Sequence, residues 1–109
     1  MDGSLINWGT IASVTSSLGV AVQLTGDVAG DIFNGGTISS LYIGILLDSD
    51  FVGDVIENSG DISGTLALLA NNPDTSIGGF RNTGTIIGTL GGVQLGEVRG
   101  TIRNAGVIQ

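Results

Sequence analysis

Gly30-Asp31-Ile32-Phe33-Asn34-Gly35-Gly36-Thr37-Ile38 is the stretch on which the fold turns, because every second residue of it is written again at Gly100-Thr101-Ile102-Arg103-Asn104-Ala105-Gly106-Val107-Ile108. Val28 and Val98 extend the match upstream. Successive side chains of a strand point to opposite faces, so identity at alternate positions marks a strand with one fixed inward face. Outward from this pair, the core of the unit recurs as Asn7-Trp8-Gly9-Thr10-Ile11, Asn58-Ser59-Gly60-Asp61-Ile62 and Asn82-Thr83-Gly84-Thr85-Ile86. All five copies read Asn-x-Gly-x-Ile, and their asparagines stand 27, 24, 24 and 22 residues apart. Of seven asparagines only Asn71 and Asn72 lie outside the pattern, so the spacing is a property of the chain and not a coincidence.

The other copies keep an apolar residue two before Asn, as Leu5, Ile56 and Phe80, while Gly53 sits one position off the place Gly30 occupies and predicts a local bulge. A second apolar segment follows each Ile: Gly19-Val20-Ala21-Val22, Gly44-Ile45-Leu46-Leu47, Leu66-Ala67-Leu68-Leu69 and Gly92-Val93-Gln94-Leu95. Several short strands per repeat, with Gly at corners and no helical spacing, describe a coil that stacks on itself. The predicted fold is an all-β parallel β-helix of about five short rungs with few or no helices. A β-sandwich is the competing architecture, but its antiparallel strands would not require identical residues at matching corners.

Asn and Gly suit the corners for two reasons. Both tolerate positive φ, which a sharp corner is expected to need. Asn adds a side-chain amide that can donate to the next rung and accept from the last, forming a ladder of Asn7, Asn34, Asn58, Asn82 and Asn104 beside the corner glycines Gly9, Gly36, Gly60, Gly84 and Gly106.

The run Gly30 to Ser40 and its echo at Gly100 to Ile108 resemble the passenger regions of bacterial autotransporters, which carry Ile-x-Asn-x-Gly-x-Ile units. The resemblance spans essentially the whole chain and implies a right-handed β-helix serving as an extracellular stalk or adhesin segment at a Gram-negative cell surface. It implies no catalytic residue. Five rungs are few for a passenger, so the chain reads as an excerpt or as a stand-alone relative.

Composition narrows the function further. The 109 residues, read as one domain over 1–109, hold ten acids against three arginines, with no Lys, His or Cys, for a net charge of −7. Nucleic acid is a poor partner for such a surface, since binding it requires clustered cations. The usual triads, thiolate and imidazole metal sites and Schiff bases are unavailable, so no catalytic, metal or cofactor-binding residue and no cofactor is expected. The longest apolar run, near Leu41 to Leu47, is far short of the ~20 residues that span a bilayer, so no membrane insertion is expected of this segment. Met1-Asp2-Gly3 opens no signal region, and an export signal is expected outside the chain.

Three outward features remain. Asp48 and Asp50 could pair as acids in a polysaccharide-acting enzyme, although turns favour Asp on their own account. The column Thr10, Thr37, Asp61, Thr85, Val107 suggests an ice-binding array interrupted twice, or ordinary strand-forming threonines. The column one before each Asn runs Ile6, Phe33, Glu57, Arg81, Arg103 and predicts a Glu57–Arg81 pair across one rung. Ile6, Trp8 and Phe33 form an apolar strip that is either tucked under a loop or open to another chain. Residues 1–80 hold nine acids and no base, whereas 81–109 hold all three arginines and only Glu97. With no cap legible at either end, copies are expected to associate through end rungs or through the strip. The function expected is a structural or adhesive module, which the resemblance places outside the cell or on a bacterial surface; whether its ligand is a host surface or a glycan the sequence leaves unknown.

Overall fold

The computed structural model describes residues 4–13, 19–48, 51–70, 76–95, 97–98 and 102–109. They form thirteen strands and, among the described residues, no helix: β1 (Leu5–Asn7), β2 (Thr10–Ser13), β3 (Val20–Leu24), β4 (Ile32–Asn34), β5 (Thr37–Ser40), β6 (Ile43–Leu47), β7 (Phe51–Asn58), β8 (Asp61–Ala70), β9 (Ser76–Asn82), β10 (Thr85–Gln94), β11 (Glu97–Val98), β12 (Ile102–Asn104) and β13 (Val107–Ile108).

Each Asn-x-Gly is a corner between two parallel sheets. The strand entering the corner belongs to the first sheet, ordered β1-β4-β7-β9, with β11 and β12 both on the free side of β9. The strand leaving it belongs to the second, ordered β2-β5-β8-β10-β13, with β3 and β6 continuing the same layer. In register, Asn7 faces Asn34, Asn34 faces Asn58, Asn58 faces Asn82 and Asn82 faces Asn104, so the chain is a parallel β-solenoid of four complete coils.

Stacking makes each core position a column. Ile11, Ile38, Ile62, Ile86 and Ile108 form one, and Leu5, Ile32, Ile56, Phe80 and Ile102 another. Val22, Ile45, Leu68 and Val93 form a third on the far part of the second sheet. The middle coils bury these residues almost completely, each contributing roughly 1.5–3 kcal/mol. The second segments stack on their small members, Ala21, Gly44, Ala67 and Gly92. At Gly44 a Cβ would meet the Ala67 carbonyl oxygen at 2.5 Å and the Ile62 side chain at 3.0 Å, and at Gly92 the Ile108 side chain at 2.7 Å and the Gln109 carbonyl oxygen at 2.8 Å, so smallness there makes room for the backbone and the isoleucine of the next coil.

Coils of unequal length are reconciled by bulges. Between Val52 and Val55 strand β7 carries one residue more than the facing stretch Ile77 to Gly79, which is the shift read at Gly53. The Val55 amide there donates to the Asp31 carboxylate at 3.0 Å. A second bulge, absent from the sequence reading, lies between Gly88 and Gly91 of β10 opposite Gly64 to Leu66 of β8.

The corner chemistry repeats coil by coil. Asn7 Nδ2 donates to Asn34 Oδ1 at 2.8 Å, Asn34 to Asn58 at 2.8 Å, Asn58 to Asn82 at 2.9 Å and Asn82 to Asn104 at 2.9 Å. The same nitrogens donate to the glycine carbonyl two residues on and to a carbonyl of the next coil, as Asn34 does to Gly36 at 3.1 Å and Asp61 at 3.0 Å. On the main chain, the Ser59 and Gly60 amides converge on the Asn34 carbonyl at 2.9 and 3.1 Å, and Asp61 donates to Gly36 at 2.9 Å. Among the described residues no buried side-chain nitrogen or oxygen lacks a partner.

The expectation of positive φ at these corners is corrected: no described residue, glycine or other, adopts it. Glycine is required by close approach instead. A Cβ on Gly36 would fall on the Gly9 carbonyl oxygen, one on Gly60 on that of Gly36, one on Gly84 on that of Gly60, and one on Gly106 on that of Gly84.

Two outcomes follow from this corner. Gly60→Ala is expected to lower the urea-unfolding free energy by about 1–3 kcal/mol through overpacking against backbone. Gly9→Ala, with no described atom within 4 Å of its Cβ, should change it by less than about 0.5 kcal/mol; equal losses would refute the close-approach account. Asn58→Ala removes the acceptor facing Asn34 Nδ2 and the donor facing the buried Asn82 Oδ1, and should cost about 1–3 kcal/mol. Asn104→Ala at an exposed position should cost under about 1 kcal/mol, since water replaces the lost bond.

Candidate functional site

The outward residues of the first sheet stand in columns fixed by the same register. Ile6, Phe33, Glu57, Arg81 and Arg103 lie one rung apart in that order. Beside them, two residues earlier on each strand and therefore on the same face, run Ser4, Asp31 and Val55. Together with Trp8 they enclose a groove of about 430 Å³ on the outside of the solenoid, reaching from Ser4, Ile6 and Trp8 to Arg81.

The aromatic end of the groove is built, not incidental. The Trp8 and Phe33 rings meet at 4.9 Å between centroids with planes tilted by 56°, a contact worth about 0.5–1.5 kcal/mol beyond the area it covers. Gly35 lies beneath Trp8: a Cβ there would touch the indole six-membered ring at 2.5 and 2.6 Å and Phe33 at 3.0 Å. The middle position of Asn-x-Gly is Ser59, Thr83 and Ala105 in later copies. Gly35 is thus explained by the ring that rests on it and not by the repeat. Despite these contacts Trp8 is 73% and Ile6 59% exposed, while Phe33 is half-buried. Of the two readings of the strip, the open one describes Ile6 and Trp8.

The rest of the groove is polar. Asp31 joins three coils, its amide donating to Ser4 Oγ at 3.0 Å and its carboxylate accepting from Val55. The Glu57 carboxylate lies 3.9 Å from the Arg81 guanidinium, with side chains 32% and 50% exposed, so the pair is a loose surface contact. Arg81 and Arg103 follow one another in register, two cations one rung apart, about 4.8 Å.

The other candidates stand apart from this groove. Thr10, Thr37, Asp61, Thr85 and Val107 are in register on the second sheet, Thr10, Asp61 and Val107 exposed and Thr37 and Thr85 half-buried. Asp48 is exposed, with its amide donating to the Leu24 carbonyl at 2.8 Å, and Asp50 lies outside the described residues. No three His, Cys, Asp or Glu side chains among the described residues converge on a metal position. The asparagines of the ladder are buried except Asn104 in the last coil, and their glycines are half-buried except the exposed Gly9. They fix the coil register of the groove without lining it.

Sequence reasoning overlooked Ser4, Asp31 and Val55. Period-two spacing from Ile6, Phe33 and Glu57 places all three on the same face. The shifted glycine that flags the bulge is the only hint of why the Val55 amide turns to a side chain. No protein-family model matches the chain, and no curated protein or solved structure matches it.

Glu57→Lys would put cations in three successive rungs. Its expected cost is about 0.2–1 kcal/mol at low salt, shrinking as ionic strength rises; denaturant midpoints that do not move at low salt would dissociate Glu57 from Arg81.

Proposed function

We propose that the chain is a structural, adhesive β-solenoid module of a secreted or surface-displayed bacterial protein, acting by contact and not by turnover. The observation that carries this reading is the seating of Trp8: a large ring held in solvent by a glycine reserved for it, on a scaffold whose every coil repeats the same hydrogen bonds. An exposed aromatic that merely escaped burial needs no such seat. Scaffold and contact surface are thereby separated, the first facing inward along the asparagine and isoleucine columns and the second facing outward on the first sheet.

The likeness of the repeat to autotransporter passengers supports placing such a module outside the cell, where a rod of hydrogen-bonded coils needs neither cofactor nor disulfide to keep its shape. Self-association belongs to the same reading. Among the described residues β1, β2 and β3 at one end of the stack and β12 and β13 at the other each pair on one side only, and such edges invite pairing with another copy.

Intact cells of the encoding bacterium, labelled with antibody raised against the folded chain, should stain without permeabilisation. Staining that requires permeabilised cells would overturn the surface assignment. Sedimentation velocity over a wide concentration range should show growth to species larger than the 10.9 kDa monomer, and a single monomer boundary throughout would remove self-association from the reading.

A further inference from the structure

We propose that the groove on the outside of the first sheet binds a neutral oligosaccharide laid along the solenoid axis, which deepens the adhesive reading above by naming its ligand class. Size and shape come first. A volume of about 430 Å³ falls within the range of small-ligand clefts, about 300–1,000 Å³. A protein partner would call for roughly 20–30 residues a side, whereas eight residues line this groove. Nor does a second copy fit, because an isologous contact must be self-complementary and two concave faces leave a void between them.

The chemistry along the groove then selects the ligand. Its first two rungs present the Trp8–Phe33 pair, in which the exposed indole offers an apolar ring face already seated on Gly35 and Phe33, so little ordering is left to be done on binding. The following rungs present carboxylate acceptors at Asp31 and Glu57 and guanidinium donors at Arg81. Asp31 accepts from the Val55 amide through Oδ1, and a carboxylate has acceptor capacity beyond that one bond. A ligand that satisfies both ends must carry an apolar face and a rim of hydroxyls, able to donate to carboxylates and accept from guanidinium. A sugar ring has this form. From the Trp8 rung to the Arg81 rung is three steps of about 4.8 Å, or about 14 Å, which asks for a short chain and not a single ring.

Charge decides which sugars. Inside the groove Asp31 and Glu57 oppose Arg81, so an anionic chain meets carboxylates and a cationic one meets the guanidinium. Over longer distances the net charge of −7 repels polyanions. Neutral chains alone meet no unfavourable partner at either scale.

Trp8 is the only tryptophan of the chain, so its emission reports on the groove without labelling. The full chain is titrated to millimolar concentration with neutral hexasaccharides of gluco, galacto and manno configuration, and in parallel with an oligogalacturonate. The expected result is a saturable change in Trp8 emission with at least one neutral hexasaccharide and none with the oligogalacturonate. By calorimetry, Trp8→Ala and Glu57→Gln should each weaken that binding at least about tenfold, with unfolding midpoints near that of the parent chain. Gly35→Ala, which pushes the ring off its seat, should weaken it while Gly9→Ala does not. No response to any neutral hexasaccharide overturns the proposal, as does a response to the oligogalacturonate alone. Loss of binding that only tracks loss of stability in every variant also overturns it. Failure here leaves the surface labelling of intact cells unaffected, so the ligand assignment and the adhesive assignment fail separately.

Discussion

The whole molecule depends on one close contact, the glycine carbonyl of each corner resting against the α-carbon of the corner glycine in the next coil. At that distance no side chain can intervene, so the backbone itself sets the interval between coils. The adjacent asparagine secures the arrangement from the side. Its amide reaches the neighbouring asparagine, its own corner glycine carbonyl and a carbonyl one coil on, and among the described residues no buried side-chain nitrogen or oxygen is left without a partner. Glycine permits the close approach, and the asparagine ladder holds the register.

Once register is locked, every position becomes a column. Inward columns are apolar, with a stripe of small residues set against the backbone and the isoleucines of the next coil. Outward columns are free to vary, because nothing in the corner chemistry constrains them. On the first sheet that freedom yields a gradient along the axis, from apolar at Ile6, Trp8 and Phe33 to cationic at Arg81 and Arg103, with Asp31 and Glu57 between. A site of this kind is read along the solenoid axis and is assembled from residues more than seventy positions apart in sequence.

Several features were legible because they are periodic. The five asparagines, the aliphatic columns, the alignment of Glu57 with Arg81 and the bulge beside Gly53 all follow from counting by twos and by repeats. Features that break the period were not. The bulge between Gly88 and Gly91 looks in sequence like ordinary glycine-rich strand, and its existence follows only from the facing strand being one residue shorter. The corner glycines were visible but their reason was not: dihedral tolerance and close approach both select glycine, and the neighbouring coil alone tells them apart.

By itself, then, the amino-acid sequence determined that this chain coils into parallel strands and which residues share each column, since both are consequences of a repeated local pattern. Tertiary structure decided where the columns meet water and one another: that Trp8 lies across Gly35 and Phe33, that Asp31 receives an amide freed by a bulge, and that a groove opens between them. Periodicity encodes which side chains are neighbours along the axis. The depth of a groove depends instead on how rings and bulges pack across it, and that is a property of volumes in space that no linear spacing records.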